Sequence, residues 1–240
     1  MKNTCILLVL LLFFACQDKR TPEASFEVRY AGALKNMMHD GDISANVSLD
    51  SFASYNHLFA LGAFENLKGE IQIFDGKAYN SYVDSDSVLI DTSFSKKATL
   101  FVYAQVEAWK AVNIPPSVKN MKQLEGFIET TAKSENIDIA EPFPFRISGQ
   151  VASADWHVID WENGDTEHTH EKHIKSGSHG TLSNEAMDIL GFYSRSHHAI
   201  FTHHSTNMHM HMLLKNKRLA GHLDNIEPGS KMILYLPVNK

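Results

Sequence analysis

Residues Met208 to Leu214 alternate histidine with methionine and then become continuously apolar. Side chains along a β-strand repeat with a period of two, so His209 and His211 would project from the same face. A basic turn over residues 215–218 follows, and the next apolar run contains His222. The pattern therefore predicts a C-terminal β-hairpin that places the three histidines side by side.

Three neutral imidazoles with a further position open form the ligand set of a catalytic Zn²⁺ site. Asp224 lies two residues after the third histidine and could orient one of the rings. A lone His-x-His pair recurs by chance, and adventitious metal binding is the alternative, but a third histidine across a short turn favours a built site. His203 and His204 precede the strand in a polar segment, where they could support the site, face a substrate or only meet solvent.

The overall composition is that of a folded protein without affinity for nucleic acid. The chain has 240 residues, of which 43% are hydrophobic, enough for one large domain or two small ones. The net charge is −6 with histidine neutral, which argues against a nucleic-acid partner. All of the 14 histidines except His39 and His57 lie from His157 onward, so the histidine chemistry belongs to the C-terminal half.

The N-terminus reads as an export signal. An apolar run over residues 6–14, too short to span a bilayer, ends at Ala15 and Cys16, as in bacterial lipoprotein signals. We expect cleavage after residue 15, a lipid on Cys16, a tether over residues 16–25 and a domain over residues 26–240, which could divide near residue 135. An ordinary secretory signal is the alternative. Either way the protein is exported, anchored on the periplasmic or cell-surface side of a membrane in the lipoprotein case. Without further cysteines after Cys16, it has no internal disulfide.

The remaining pattern predicts an α/β fold of the α+β kind. Two packed halves would be built on mixed or antiparallel sheets with a few helices. Strands are predicted at 71–83 as a hairpin with an Asp-Gly turn, and at 98–108, 142–151, 186–194 and 231–238. Helices are predicted at 31–39 and 117–134.

The polar segment from Asp155 to Gly180 is rich in charge, histidine and glycine. Its composition favours a mobile, solvated loop that covers the site as a lid. A second metal site that uses His168, His170 and His173 is the alternative.

The order of several short motifs resembles the acetolactate decarboxylase family. The motifs are Ala60-Leu61-Gly62-Ala63-Phe64, Leu67-Lys68-Gly69-Glu70, Asp75-Gly76 with Tyr79, Phe145-Arg146-Ile147-Ser148-Gly149, Leu190-Gly191-Phe192-Tyr193, Met208-His209-Met210-His211 and Gly221-His222-Leu223-Asp224. The similarity runs from about Tyr30 to Pro237. It is carried mainly by the His-x-His pair and the step of eleven residues from His211 to His222.

The resemblance implies a site and a reaction. In the family the three histidines bind Zn²⁺, and a glutamate and an arginine, matched here by Glu70 and Arg146, line the same site. The implied reaction is the decarboxylation of 2-acetolactate to acetoin through a metal-stabilised enediolate, with Arg146 pairing with the carboxylate or oxyanion and Glu70 carrying the proton. The resemblance also implies a homodimer.

The sequence departs from the family pattern at three places. Ala63 stands where the family usually has a threonine that faces the site. Family chains usually continue to a C-terminal glutamate that enters the site, whereas this sequence ends at Lys240, which leaves protonation to Glu70, water or His203 and His204. Residues 155–180 and 195–207 match poorly. Two other functions therefore stay open: a decarboxylase for another 2-hydroxy-3-oxo acid, and an exported metal-binding lipoprotein of the same fold.

Overall fold

A computed structural model describes residues 26–238. The expected signal peptide, Cys16 and the tether lie outside the described residues. The described chain forms two β-sheets and three α-helices, none of which is long and apolar enough to span a membrane. Every pairing between its strands is antiparallel, which settles the choice between mixed and antiparallel sheets.

The first sheet is built from the N-terminal half of the chain. Its strands are β1 (Arg29–Ala31), β2 (Val47–Ser48), β3 (Leu58–Phe64), β4 (Glu70–Phe74), β5 (Lys77–Ala78), β6 (Asn80–Asp84), β7 (Ser87–Asp91) and β8 (Lys97–Gln105). The order is β1-β8-β3-β4-β6-β7, with β2 beside β8 and β5 beside β4. The predicted turn after β4 is confirmed: Asp75 and Gly76 both have positive φ, which a two-residue hairpin of this type requires.

The second sheet holds the histidine hairpin. Its strands are β9 (Trp109–Asn113), β10 (Phe143–Val158), β11 (Ser178–Ser183), β12 (Ala186–Tyr193), β13 (Met208–Leu214), β14 (Ala220–Pro228) and β15 (Ile233–Pro237). The order is β12-β13-β14-β10-β15-β9, and β12 also pairs with β10, so four strands close into a ring. Gly149 of β10 has a φ of 150° and lies so close to Met232, just before β15, that a Cβ would have no room.

Three helices lie outside the sheets: α1 (Leu34–Asp40), α2 (Met121–Ser134) and α3 (His170–Lys175). Helix α2 begins four residues later than predicted, at the point where the Asn120 side chain accepts a hydrogen bond from the Gln123 amide. Its buried face includes Leu124 and Ile128, as the helical spacing predicts.

The two sheets share one core. The largest cluster of buried apolar side chains combines Leu61 and Leu100 of the first sheet with Phe145 and Met212 of the second. Strand β4 also lies against β14 of the histidine hairpin, and Glu70 at its start comes within 3.7 Å of His211. This packing brings a carboxylate from the first half of the chain to histidines from the second.

The prediction that residues 155–180 form one mobile loop is wrong. Strand β10 continues to Val158, helix α3 follows, and β11 begins at Ser178. The continuation of β10 is stabilised by pairing with β11 on one side and β14 on the other, which are contacts between residues distant in sequence.

Candidate metal centre

The three predicted histidines meet at one point. Alternation along β13 directs His209 and His211 away from the face of the three methionines, and their Nε2 atoms lie 3.3 Å apart. His222 on β14 is the direct cross-strand neighbour of His211. One nitrogen from each ring lies within 4.8 Å of the other two. The predicted hairpin and the convergence of its histidines are confirmed.

The chemistry of this donor set fits a divalent metal. Burial lowers the pKa of His209 to about 3 and holds the pKa values of His211 and His222 well below their ordinary range. The rings are therefore neutral at physiological pH, and each can present a lone pair to a metal ion. Imidazole nitrogens suit Zn²⁺ and other late first-row metals.

Glu70 lies beside the histidines, as predicted. It is the first residue of β4 and is almost fully buried. One carboxyl oxygen accepts a hydrogen bond from the Ile159 amide at 3.2 Å, and the other lies 3.7 Å from Nε2 of His211. Burial raises the pKa of Glu70 to about 7, since loss of hydration disfavours the charged carboxylate.

His157 is a fourth histidine at this centre, and the sequence reasoning missed it. It lies on β10 opposite His222, with 4.8 Å between the two ring centroids. Its Nδ1 donates to Asp224 at 2.8 Å, and its Nε2 lies 3.8 Å from Glu70. Burial alone would lower the pKa of His157, but the hydrogen bond to Asp224 and the charges of Glu70 and Asp224 outweigh it, so the pKa is raised.

Asp224 therefore orients a different ring from those expected. Its carboxylate is 3.8 Å from His222, too far for a hydrogen bond, and bonds to His157 instead. The spacing of His222 and Asp224 pointed to a carboxylate near the histidines, but the pairing of β14 with β10, which is irregular at Asp224, decides that its partner is His157. A carboxylate in that place needs a partner.

A cavity of about 60 Å³ is lined by His157, His209, His222 and Glu70, whereas His211 is fully buried and does not line it. The predicted site-facing residue Ala63 lines it, and so does His203. His204 is exposed and does not line it. None of the described residues that line the cavity is a lysine or an arginine.

The prediction that Arg146 lines this site is wrong. Its guanidinium group lies 5.3–5.9 Å from the centroids of four aromatic rings, those of Phe59, Phe74, Trp109 and Tyr235. The local pattern placed Arg146 correctly on a strand. It lies eleven residues before His157 on β10, however, and a strand advances about 3.3 Å per residue, so the two side chains are far apart along the strand and only His157 lines the cavity.

The segment between β10 and β11 covers the cavity as a folded cap. His170 and His173 from α3 line the cavity. His168 stacks on the buried Trp161 at 4.4 Å, and His173 packs against the edge of the same ring. Among the described residues, only the set of His209, His211 and His222 forms a group of three or more potential ligands, so no second metal group is found in the cap.

The chain matches the model of one known protein family, and the matched range includes the candidate metal centre. The family model described as alpha-acetolactate decarboxylase matches residues 30–237. The match covers both sheets and contains every residue of the centre.

Solved structures share the fold at low sequence identity. An alpha-acetolactate decarboxylase from Bacillus subtilis strain 168 superposes with a TM-score of 0.69 at 15% identity, over 89% of this chain and 86% of that one. A second, from Bacillus subtilis subspecies spizizenii, gives 0.71 at 15% identity, with the same coverage. A Staphylococcus aureus protein of unknown function similar to alpha-acetolactate decarboxylase gives 0.70 at 14% identity, over 89% and 85%. No sequence among the curated proteins matches the chain.

Proposed function

Since the chain belongs to the alpha-acetolactate decarboxylase family, we propose that it is a metal-dependent carboxy-lyase that releases CO₂ from 2-acetolactate and forms acetoin. The observation that carries the proposal is the cluster of the His209, His211 and His222 imidazoles, which lies beside the buried Glu70 carboxyl group at the edge of one cavity. The cavity is small beside the roughly 300–1,000 Å³ of pockets for drug-sized ligands. Its size favours a small 2-hydroxy-3-oxo acid as substrate.

His209, His211 and His222 would hold one metal ion, for which we propose Zn²⁺ because it accepts three imidazoles and leaves a position for substrate. When bound, the metal would supply a Lewis acid toward the negative charge that remains on substrate oxygen as CO₂ leaves.

Glu70 and His157 supply the protein's own chemistry. The Glu70 carboxyl group faces the cavity and holds the proton that replaces CO₂ on the substrate carbon. Asp224 fixes the His157 ring through Nδ1, so that Nε2 points toward Glu70 and the cavity, where it contacts the substrate's polar groups. His157 thus takes the place that the sequence reasoning gave to Arg146.

Metal analysis together with CO₂ release from 2-acetolactate tests the proposal. We expect close to one metal per chain and CO₂ release that is lost, together with the metal, in His209→Ala, His211→Ala and His222→Ala. His204→Ala is the matched control, because this exposed histidine lies outside the cavity. Metal binding without CO₂ release from this substrate or its homologues would overturn the decarboxylase proposal.

A metal-binding protein without chemistry is the second candidate. Among the described residues, the cavity lining lacks a lysine or arginine for a substrate carboxylate, and Arg146 lies elsewhere. This observation favours a binder. The burial of Glu70 against His211 favours the enzyme, because a site that only holds metal has no need of a buried carboxyl group that does not complete the ligand set.

We further propose that the protein is an exported lipoprotein anchored through Cys16 and that it forms a homodimer. The apolar run that ends at Ala15 and Cys16 supports the anchor, and the family resemblance supports the dimer. Membrane fractionation of Cys16→Ala tests the first, and light scattering of the soluble domain tests the second. Unchanged membrane association in the variant would contradict the anchor.

A further inference from the structure

The cavity has two chemically different walls. One wall consists of histidines from the second sheet and the cap, together with Glu70. The other wall is apolar and is made by Leu34, Met37, Leu67 and Leu100. A small acid that places its carboxylate, hydroxyl and oxo groups against the polar wall must turn its alkyl groups toward the apolar wall.

The apolar wall begins beside the proton-carrying carboxyl group. Glu70 on β4 is the cross-strand neighbour of Ala63 on β3, which in turn is the neighbour of Leu100 on β8. These three side chains form a row across adjacent strands of one face. Ala63 is the smallest side chain of the row, and it lines the cavity together with Leu34 and Met37 of α1.

Helix α1 closes the wall with one face. Leu34 and Met37 are three residues apart, so they lie on the same side of the helix and both reach the cavity. Met37 is 2% exposed, whereas the next methionine, Met38, does not line the cavity. An unbranched thioether side chain adapts its shape to a neighbouring group more readily than a branched one does.

The position of α1 is fixed relative to the metal histidines. The amides of Leu34 and Lys35 donate hydrogen bonds of 2.8 Å to the carbonyl groups of Ile200 and Ala199. Ile200 lies eight residues before Met208, where β13 begins. These backbone hydrogen bonds hold α1 at a set distance from the histidine wall. A side chain on α1 can therefore limit the size of a bound group.

We propose that Met37 on α1 determines the length of the alkyl substituent that the site accepts at C2 of its 2-hydroxy acid. The inference rests on the proposed function for the identity of the substrate. It adds that the site selects its substrate by the length of the C2 alkyl group as well as by the acid group. Shortening Met37 opens the apolar wall without touching the histidines or Glu70.

Two series of compounds test the inference. The reactive series is 2-acetolactate and its homologues with ethyl or propyl in place of the 2-methyl group, read as kcat/KM for CO₂ release. The unreactive series is the matching 2-alkyl-2-hydroxy acids without the 3-oxo group, read as Kd by calorimetry on the zinc-loaded protein. Met37→Ala should shift the preference toward the longer alkyl group by about 10-fold or more in both series, as one methylene in an apolar pocket typically does.

Matched variants separate a cavity effect from a loss of stability. Met38→Ala removes the same atoms from the same helix away from the cavity, and Met37→Leu keeps the side-chain volume, so both should retain the wild-type ratio. Leu34→Ala should shift the ratio in the same direction as Met37→Ala, and it serves as the test if Met37→Ala does not fold.

The two proposals fail in different ways. An unchanged alkyl preference in folded Met37→Ala and Leu34→Ala, or an equal shift in Met38→Ala, would overturn the role of Met37 and leave decarboxylation intact. If no member of the reactive series releases CO₂ while the unreactive series still shows the shift, the proposed function fails and the role of Met37 stands. Absence of binding across both series would overturn this inference.

Discussion

The carboxyl groups of Glu70 and Asp224 flank the imidazole ring of His157 at the centre of the site. His157 donates Nδ1–H to Asp224 and directs Nε2 toward Glu70, so its ring is held between acids on two strands. Both acids are close to the metal histidines, yet neither makes a hydrogen bond to a ligand ring. A carboxylate near a metal site usually orients a ligand ring. Here Asp224 orients His157 instead, the ring to which we assign contact with the substrate.

This arrangement predicts separable effects on metal and turnover. His157→Gln and Asp224→Asn should keep the metal content of the wild type and lower kcat by about 100-fold, the usual size of a lost acid–base or hydrogen-bonding group. The double variant should be little worse than either single one, because the two residues act as a unit. Metal analysis and steady-state kinetics measure both. Loss of metal in His157→Gln would instead make this ring a fourth ligand.

Arg146 is expected to behave as a packing residue. Its guanidinium group lies among four aromatic rings, and its buried Nε has no hydrogen-bond partner. Arg146→Met should therefore keep the metal and leave kcat/KM within about threefold of the wild type, since no transition-state contact is removed. A loss of about 100-fold with metal retained would return Arg146 to the catalytic role that the motif suggested.

At the scale of elements, α2 is tied to the strands that hold the site. Glu125 accepts hydrogen bonds from Thr206 and Asn207, just before β13 begins. Glu129, one turn further on, accepts from the Tyr193 hydroxyl at the end of β12 and from Lys133. These contacts attach the helix to the end of β12 and to the start of β13, the strand that carries His209 and His211.

The contact at Glu129 should make stability depend on pH. Its hydrogen bonds to Lys133 and Tyr193 hold the pKa of Glu129 below the ordinary value of 4.5. The folded state thus favours the carboxylate, so this stabilisation is complete above 4.5 and is lost as the pH falls through the lowered pKa. Glu129→Gln should lower the free energy of unfolding at neutral pH, and the difference from the wild type should shrink in acid. Urea unfolding at several pH values measures it, and a difference that stays constant with pH would refute the account.

The parts of the fold that the sequence could predict were those decided by neighbours in the chain. The period of two in β13, the Asp-Gly turn after β4 and the helical spacing of Leu124 and Ile128 act within one or two elements. The far half of β10 could not be predicted in this way. Its alternation is weak, and its strand conformation comes from pairing with β11 and β14.

The same dependence on contacts between distant residues explains why His157 was missed and Arg146 was misplaced. His157 belongs to that far half of β10, so its place beside His222 depends on long-range pairing. Arg146 has a clear strand context, but which part of a 16-residue strand reaches the cavity is a property of the packed molecule. Helix α3 is only six residues long, and its His173 packs against Trp161, which lies nine residues before the helix begins.

At the scale of the whole molecule, the centre joins the two sheets. The three metal histidines come from β13 and β14, whereas Glu70 comes from β4 of the other sheet. The unfolded chain has no such preformed set, so a metal that binds the folded state must stabilise it. Metal binding should therefore be visible as a change in the melting temperature without any assay of activity.

Zinc should raise the melting temperature of the chelator-treated protein by an amount set by its affinity. Free Zn²⁺ at 1,000 times the Kd contributes about 4 kcal/mol, which for a domain of this size corresponds to roughly 8–16 °C. Scanning calorimetry over a range of buffered free zinc measures the shift. His211→Ala should remove it, because this fully buried ring lies between His209, His222 and Glu70. Exposed His204 is the control, and His204→Ala should show the full shift. An equal zinc response in His211→Ala would mean that the stabilising ion binds somewhere other than the hairpin.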